Sequence, residues 1–134
     1  MIDRKTIHFE AARQCGHGTK AVNFELGAEW ALSQIPHIND LARQAFNNAI
    51  IRGKTSKDAT HNDSFFDILD ELKEFKDASE FQKSEHLPEY TEAQEELTDV
   101  LICCLTELHR RGVDVERIIK EKIEYNKERA RHGV

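Results

Sequence analysis

Two pairs of acidic residues repeat the same spacing along the chain, Glu71 with Glu74 and Glu96 with Asp99. Residues three apart lie on the same face of an α-helix, so each pair directs two carboxylates to one side. If the two helices pack as antiparallel neighbours, the four carboxylates converge on one spot. Such a group needs a cation to neutralise it, and an all-oxygen ligand set suits Mg2+, with Mn2+ as the alternative.

The first pair also has an ordinary explanation. In a chain of 134 residues with 25 acidic ones, several pairs of this spacing arise by chance. Asp67 and Asp70 lie on the same polar side of this helix, opposite an apolar stripe. A solvated helix face therefore accounts for Glu71 and Glu74 as well as a metal site does.

The second pair adjoins a run, residues 97–105, that is apolar nearly all round the helix. This pattern is typical of a helix buried on most sides. Glu96 and Asp99 would then be partly buried, which is costly for carboxylates unless they are paired or bind a metal ion. A functional role is therefore favoured for this pair.

The last predicted helix changes character along its apolar face. The face begins with Val115 and continues to Ile123, but Lys122, Asn126 and Arg129 lie in the middle of it. Polar and cationic side chains in that position are expected to face an anion, either the carboxylate cluster or phosphates held by its metal ions. The alternative is that Lys122 and Arg129 extend from the edge of the core into solvent.

These residues fall on a predicted all-α fold with a four-helix-bundle-like core of antiparallel helices. The chain is 33% charged and contains two prolines and six glycines, a composition that favours surface-rich helices over sheets. Short connections between the last three helices favour antiparallel neighbours. The predicted core helices cover residues 40–52, 64–79, 89–111 and 114–131.

Capping residues set the expected helix boundaries. Gly53 and Gly112 are expected to end the first and third core helices. Asp114 is the candidate N-cap of the last helix. The candidate caps of the second helix are Asn62, Asp63 and Ser64.

The chain is expected to divide into an N-terminal arm or helix of uncertain role, residues 1–37, and a domain covering residues 38–134. Residues 1–20 are weakly patterned, and a short helix over residues 21–35 is expected to end at Pro36. A helical domain of this size buries a modest core and often enlarges it by pairing with a second copy. We therefore expect an oligomer.

Charge and cysteine content limit the partners and the compartment. The net charge of −6 argues against a nucleic-acid partner, although metal ions can still link acidic side chains to a phosphate substrate. The three cysteines form no disulfide framework, which favours a reducing compartment. The sequence contains no apolar stretch typical of a signal peptide or a membrane span, so we expect a cytoplasmic protein with no membrane partner.

The motifs together resemble the MazG-type all-alpha nucleoside triphosphate pyrophosphohydrolases over residues 38–134. Glu-x-x-Glu is followed after 21 residues by Glu-x-x-Asp within a Glu-Glu-Leu-x-Asp-Val run. The tail from Lys122 to Arg129 is similar to the closing motif of that family. Arg131, His132 and Gly133 are similar to the ending of its short, phage-like branch, with one residue fewer after Arg129.

The resemblance implies magnesium-dependent hydrolysis of a nucleoside triphosphate to its monophosphate and pyrophosphate by a homodimer or homotetramer. It implies substrate contacts from Lys122, Asn126 and Arg129. The implied metal ligands are Glu71, Glu74, Glu96 and Asp99.

The proton acceptor for the attacking water is expected to be Glu71, with Asp70 as the second choice. Three other interpretations stay open. A phosphoribosyl-ATP pyrophosphatase of the same superfamily is a nearby substrate alternative, and a non-catalytic helical interaction module would use the acidic strip to bind a basic partner. A di-iron bundle is less favoured, because it requires Glu-x-x-His on two helices and the sequence contains none.

Overall fold

The computed structural model describes residues 27–31 and 37–131, apart from the side chain of Ala130. Within these residues the regular structure is α-helical, apart from one isolated antiparallel bridge between Lys83 and Thr91. The all-α prediction is therefore confirmed for the part of the chain that is described. No helix within these residues is long and apolar enough to cross a membrane.

The chain divides into two compact units, Met1–His37 and Ile38–Val134. In the first unit, residues 27–31 are helical. The irregular arm expected over residues 1–20, and most of the helix expected over 21–35, lie outside the described residues.

The described part of the second unit, residues 38–131, contains four helices: α1 (Ile38–Ile51), α2 (His61–Asp77), α3 (Glu92–Arg110) and α4 (Val115–Arg131). Helix α3 packs against both α1 and α2, whereas α4 makes fewer contacts, with α1 and α3. The core joins α1, α3 and the first residue of α4 through the buried side chains of Ala42, Leu105 and Val115. Among the described residues this core is small.

Helices α2 and α3 are antiparallel. At the start of α2, the Ser64 hydroxyl donates a hydrogen bond to Glu107 near the end of α3. Just after α2 ends, the backbone N–H of Ser79 donates to Oε2 of Glu92, the first residue of α3, over 3.1 Å. The middle of α2 therefore faces the middle of α3, and this is where the two acidic pairs lie.

Glycines end α1 and α3 as expected, and both do so by the same geometry. Gly53 has φ of 70° and Gly112 has φ of 73°, a left-handed conformation that L-residues with a side chain rarely adopt. The backbone N–H of Gly53 donates to Ile50 and that of Lys54 donates to Ala49, the pair of bonds that defines a Schellman motif. This turn fixes where Lys54 leaves α1.

The start of α2 differs from the sequence prediction. The N-cap is Thr60, whose side chain accepts a hydrogen bond from the backbone of Asp63 while the Asp63 carboxylate accepts from the backbone of Thr60. Asp63 is therefore part of the capping box, as the third residue of the helix. Asn62 and Ser64 lie within the helix. The reciprocal capping box moves the helix start upstream of residue 64.

A second capping box shortens α3 relative to its expected span, because Thr91 and Gln94 satisfy each other's backbone N–H groups in the same way. The predicted N-cap of α4 is confirmed, since Oδ1 of Asp114 accepts from the backbone N–H of Arg117 over 3.1 Å. Asp114 also accepts a hydrogen bond from the Asn39 side chain at the start of α1. This contact ties the beginning of α4 to the beginning of α1.

The expectation that α3 is buried on most sides is wrong for the single chain. Leu97 and Leu101 expose 52% and 53% of their surface. On α4, every residue from Arg117 to Arg129 is exposed, including Ile118, Ile119 and Ile123. Such a large unburied apolar area on two neighbouring helices is uncommon for a protein that works as a monomer.

Candidate functional site

The acidic pairs of α2 and α3 meet at the centre of the antiparallel pair of helices. Glu71, Glu96 and Asp99 each offer a carboxylate oxygen, and these three oxygens lie within 4.8 Å of one another. All three residues are half-buried. The three carboxylates form the cluster referred to below as the acidic cluster, and no metal-ligating group of three or more is found elsewhere in the described residues.

Burial and crowding of like charge both raise the pKa values of the acidic cluster. Burial is the largest cause that raises the pKa of Glu71, of Glu96 and of Asp99 above its ordinary value, and neighbouring carboxylates raise it further. Glu74 contributes to the rise in all three residues. Glu74 is itself exposed, and it lies at the solvent edge of the acidic cluster.

Glu96 carries the clearest sign of an unmet interaction. Its Oε2 is buried and has no hydrogen-bond partner among the described residues. A buried carboxylate oxygen without a partner is costly, and native proteins seldom retain one without a reason. A divalent cation held by Glu96, Glu71 and Asp99 would supply the missing partner, and three oxygen donors match the preference of Mg2+. The residues present therefore fit a magnesium ion.

Asp70, the second candidate for proton acceptor, lies apart from the acidic cluster. It is exposed, and its Oδ1 is 3.6 Å from Nζ of Lys73 on the same helix. Glu71 is in a different environment, because it is half-buried within the acidic cluster and its pKa is raised, first by burial. Of the two, Glu71 is better placed to take a proton beside a bound metal ion.

A cleft of about 860 Å³ lies between α1, α2 and α3, and two members of the acidic cluster, Glu71 and Asp99, line it. One wall is the face of α1 that carries the amides of Gln44 and Asn48, and the turn after α1 adds Arg52 and Lys54. The opposite wall contains Glu71, Glu74 and Asp99. The cleft is large enough for a small organic phosphate, and it combines donors, acceptors, cations and carboxylates.

Sequence reasoning missed Lys54. Its Nζ lies 3.9 Å from Oε1 of Glu71, and among the described residues no other cation forms an ion pair with a carboxylate of either acidic pair. A signal was present, because Lys54 follows the helix-ending Gly53 and opens the polar stretch before α2. The sequence alone does not predict that Lys54 lies close to Glu71 of α2.

The three predicted substrate contacts lie elsewhere in the single chain. Lys122, Asn126 and Arg129 are exposed on α4, and none of them lines the cleft. The Lys122 ammonium lies 4.5 Å from the ring centroid of Tyr125, and the Arg129 guanidinium lies 6.0 Å from it. The structure thus brings together three of the four predicted metal ligands, Glu71, Glu96 and Asp99, but neither Glu74 nor these cations joins that group.

Two other side chains limit which nucleophile and which aromatic contact the cleft can offer. Cys103 lines it, but burial and the nearby carboxylates of Glu71 and Asp67 raise the pKa of its thiol to about 11. The thiol is protonated at neutral pH and makes a poor nucleophile. The aromatic residue Phe46 is buried against His109 with ring centroids 5.1 Å apart and does not line the cleft, so it is not placed to stack on a nucleotide base there.

Comparison of the chain with protein-family models, curated proteins and solved structures finds no match. The resemblance to the MazG-type family therefore rests on the sequence motifs.

Proposed function

We propose that this protein is a magnesium-dependent nucleoside triphosphate pyrophosphohydrolase of the MazG type, which releases a nucleoside monophosphate and pyrophosphate. The observation that supports this most directly is the convergence of Glu71, Glu96 and Asp99, with one oxygen of Glu96 buried and unpartnered. Structural carboxylates on a helix surface do not need to converge in this way. The cleft above them offers space for a triphosphate.

In this proposal Glu71, Glu74 and Asp99, which line the cleft, and Glu96 beside them would hold the metal ions. Bound magnesium supplies positive charge that polarises the phosphate oxygens and offsets the charge that builds up on the leaving pyrophosphate. Glu71 accepts the proton of the attacking water, because its carboxylate is half-buried in the acidic cluster and lies beside the other metal ligands. Asp70 is the second choice for this role.

A homo-oligomer, either a dimer or a tetramer, is part of the proposal. The apolar residues of α3 and α4 that the single chain leaves exposed offer a surface for a second copy. Lys122, Asn126 and Arg129 share this face of α4, so its burial against a second chain would put cations at an interface. In that arrangement they contact the phosphates of a substrate held by the partner chain.

The test is a panel of standard, deoxy and modified nucleoside triphosphates incubated with the protein, with and without Mg2+. Products are separated by ion-exchange chromatography, and pyrophosphate is measured with a coupled assay. Monophosphate and pyrophosphate in equal amounts, formed only with the metal, support the proposal. Stepwise release of single phosphates, or turnover unaffected by chelation, contradicts it.

A further inference from the structure

Lys54 is held at the acidic cluster by backbone geometry. The Schellman motif at Gly53 directs the chain from α1 toward α2, and the Lys54 ammonium reaches to within 3.9 Å of Glu71. The two partners differ in exposure, since the side chain of Lys54 is 57% exposed and that of Glu71 is 16% exposed. The lysine therefore retains its hydration and much of its freedom to move, while the carboxylate does not.

The influence of Lys54 extends beyond this one contact. Its charge opposes the rise in the pKa of Glu71, of Asp99 and of Asp67, although burial is the largest cause in each case. Arg52 acts on Asp99 in the same direction. Lys54 thus serves as a countercharge for Glu71 and Asp99, two of the three members of the acidic cluster.

An ammonium group and a divalent cation compete for the same carboxylate oxygens. When a metal ion neutralises the acidic cluster, Glu71 no longer needs Lys54 as a partner. The lysine side chain already lines the cleft and lies beside the metal ligands, so it can then turn to an anion in the cleft. Phosphate is the anion that a point charge on a flexible stem binds readily.

We infer that Lys54 has two alternating partners: the Glu71 carboxylate in the metal-free protein, and a phosphate group of the substrate once the metal ions are bound. This role rests on the proposed function. It means that the α1–α2 turn contributes a phosphate contact to the cleft of the same chain. The neutralised acidic cluster releases the lysine, so metal binding prepares the cleft for the triphosphate.

The test compares Lys54→Gln with Lys57→Gln, a matched control that removes a lysine from the same turn but not from the lining of the cleft. Isothermal titration calorimetry measures Mn2+ binding without nucleotide, and then inorganic tripolyphosphate binding at saturating Mg2+. Lys54→Gln should bind Mn2+ about two- to fivefold tighter, because an exposed competing ion pair is lost. It should bind tripolyphosphate about tenfold more weakly, because a charge-assisted hydrogen bond is lost.

Opposite changes in the affinities for Mn2+ and for tripolyphosphate distinguish a lysine that exchanges partners from a lysine with a purely structural role. Lys54→Arg, which keeps the charge, should restore most of the tripolyphosphate affinity. If wild-type protein binds Mn2+ and hydrolyses nucleotides but Lys54→Gln behaves like Lys57→Gln, the role of Lys54 is refuted and the proposed function stands. If wild-type protein binds no Mn2+, both are refuted.

Discussion

Glu95 and Glu96 are adjacent in the sequence, but their carboxylates lie in opposite environments. Glu95 accepts a hydrogen bond from the buried hydroxyl of Ser84, and its Oε1 lies 3.0 Å from Nδ1 of His86. Glu96 has a buried oxygen with no partner in the described part of the chain. The Ser84 hydrogen bond lowers the pKa of Glu95, whereas burial and then Glu74 raise the pKa of Glu96.

The same substitution at these two positions should therefore have opposite effects on the metal-free protein. Glu96→Gln removes a charge from a crowded cluster, so we expect a higher melting temperature in EDTA, by roughly 4 °C for each kcal/mol of relieved repulsion. Glu95→Gln weakens the bonds to Ser84 and His86 and should lower the melting temperature. Differential scanning calorimetry at pH 7 measures both.

The change in the melting temperature of these variants on addition of Mn2+ is the second part of the test. Added Mn2+ should raise the melting temperature of the wild type and of Glu95→Gln, but not that of Glu96→Gln, because a ligand stabilises only the folded state that binds it. The advantage of Glu96→Gln should shrink as pH falls, since protonation of Glu96 relieves the same repulsion below its raised folded pKa. Equal responses of all three proteins to Mn2+ would exclude Glu96 as a ligand.

Catalysis should depend on both acid-bearing helices. Glu74→Gln changes α2 and Asp99→Asn changes α3, and each should reduce magnesium-dependent pyrophosphate release by on the order of 100-fold or more, since metal charge stabilisation contributes several kcal/mol. Circular dichroism should give helicity near that of the wild type. Asp77→Asn, which changes an exposed residue of α2 that does not line the cleft, is the comparison. Retained activity in both Glu74→Gln and Asp99→Asn would rule out the metal site.

The acidic pairs were predictable because their chemistry is local. A spacing of three fixes which residues share a helix face, and the antiparallel packing of α2 and α3 then brings Glu71 near Glu96 and Asp99. Gly53, Gly112 and Asp114 were recognised as boundary residues for the same reason. The capping boxes of Thr60 and Thr91 are also encoded locally, as Thr-x-x-Asp and Thr-x-x-Gln, although Asn62, Asp63 and Ser64 offer competing cap residues close to the first.

The surroundings of α4 and of Lys54 were not predictable from local patterns. The spacing of Lys122, Asn126 and Arg129 says that they share a face, but the partner of that face depends on tertiary or quaternary packing. In the single chain the face is exposed. The turn at Gly53 is encoded locally, but Lys54 comes near Glu71 because α1 and α2 both pack against α3, and no pattern within the turn encodes that packing.

Acid sensitivity should come from the far end of the α2–α3 pair, where Glu107 joins the two helices. Burial alone would raise the pKa of Glu107, but hydrogen bonds from Arg110, Ser64 and Arg111 outweigh it and lower the pKa to about 2. Because the folded pKa is depressed, the stabilisation is present above the unfolded value of 4.5 and is lost as pH falls toward 2.

Glu107→Gln should accordingly destabilise the protein at pH 7 by about 2 kcal/mol, the cost of breaking a half-buried charged network. The difference from the wild type should become smaller between pH 4.5 and the lowest pH at which the wild type stays folded. Urea denaturation followed by circular dichroism at several pH values measures it. A difference that does not change with pH would mean that Glu107 contributes through packing and not through its charge.

The exposed face of α4 should control assembly. Ile119 and Ile123 lie on this face and expose 37% and 50% of their surface, so a second chain would bury them. Ile123→Glu should therefore lower the oligomer mass measured by light scattering after gel filtration, while Arg117→Glu, which adds negative charge on the opposite side of α4, should not.

If Lys122, Asn126 and Arg129 act across that interface, Ile123→Glu should also lose pyrophosphate release while keeping Mn2+ binding, because the acidic cluster belongs to a single chain. A monomeric wild type, or an active monomeric Ile123→Glu variant, would contradict the role given to α4.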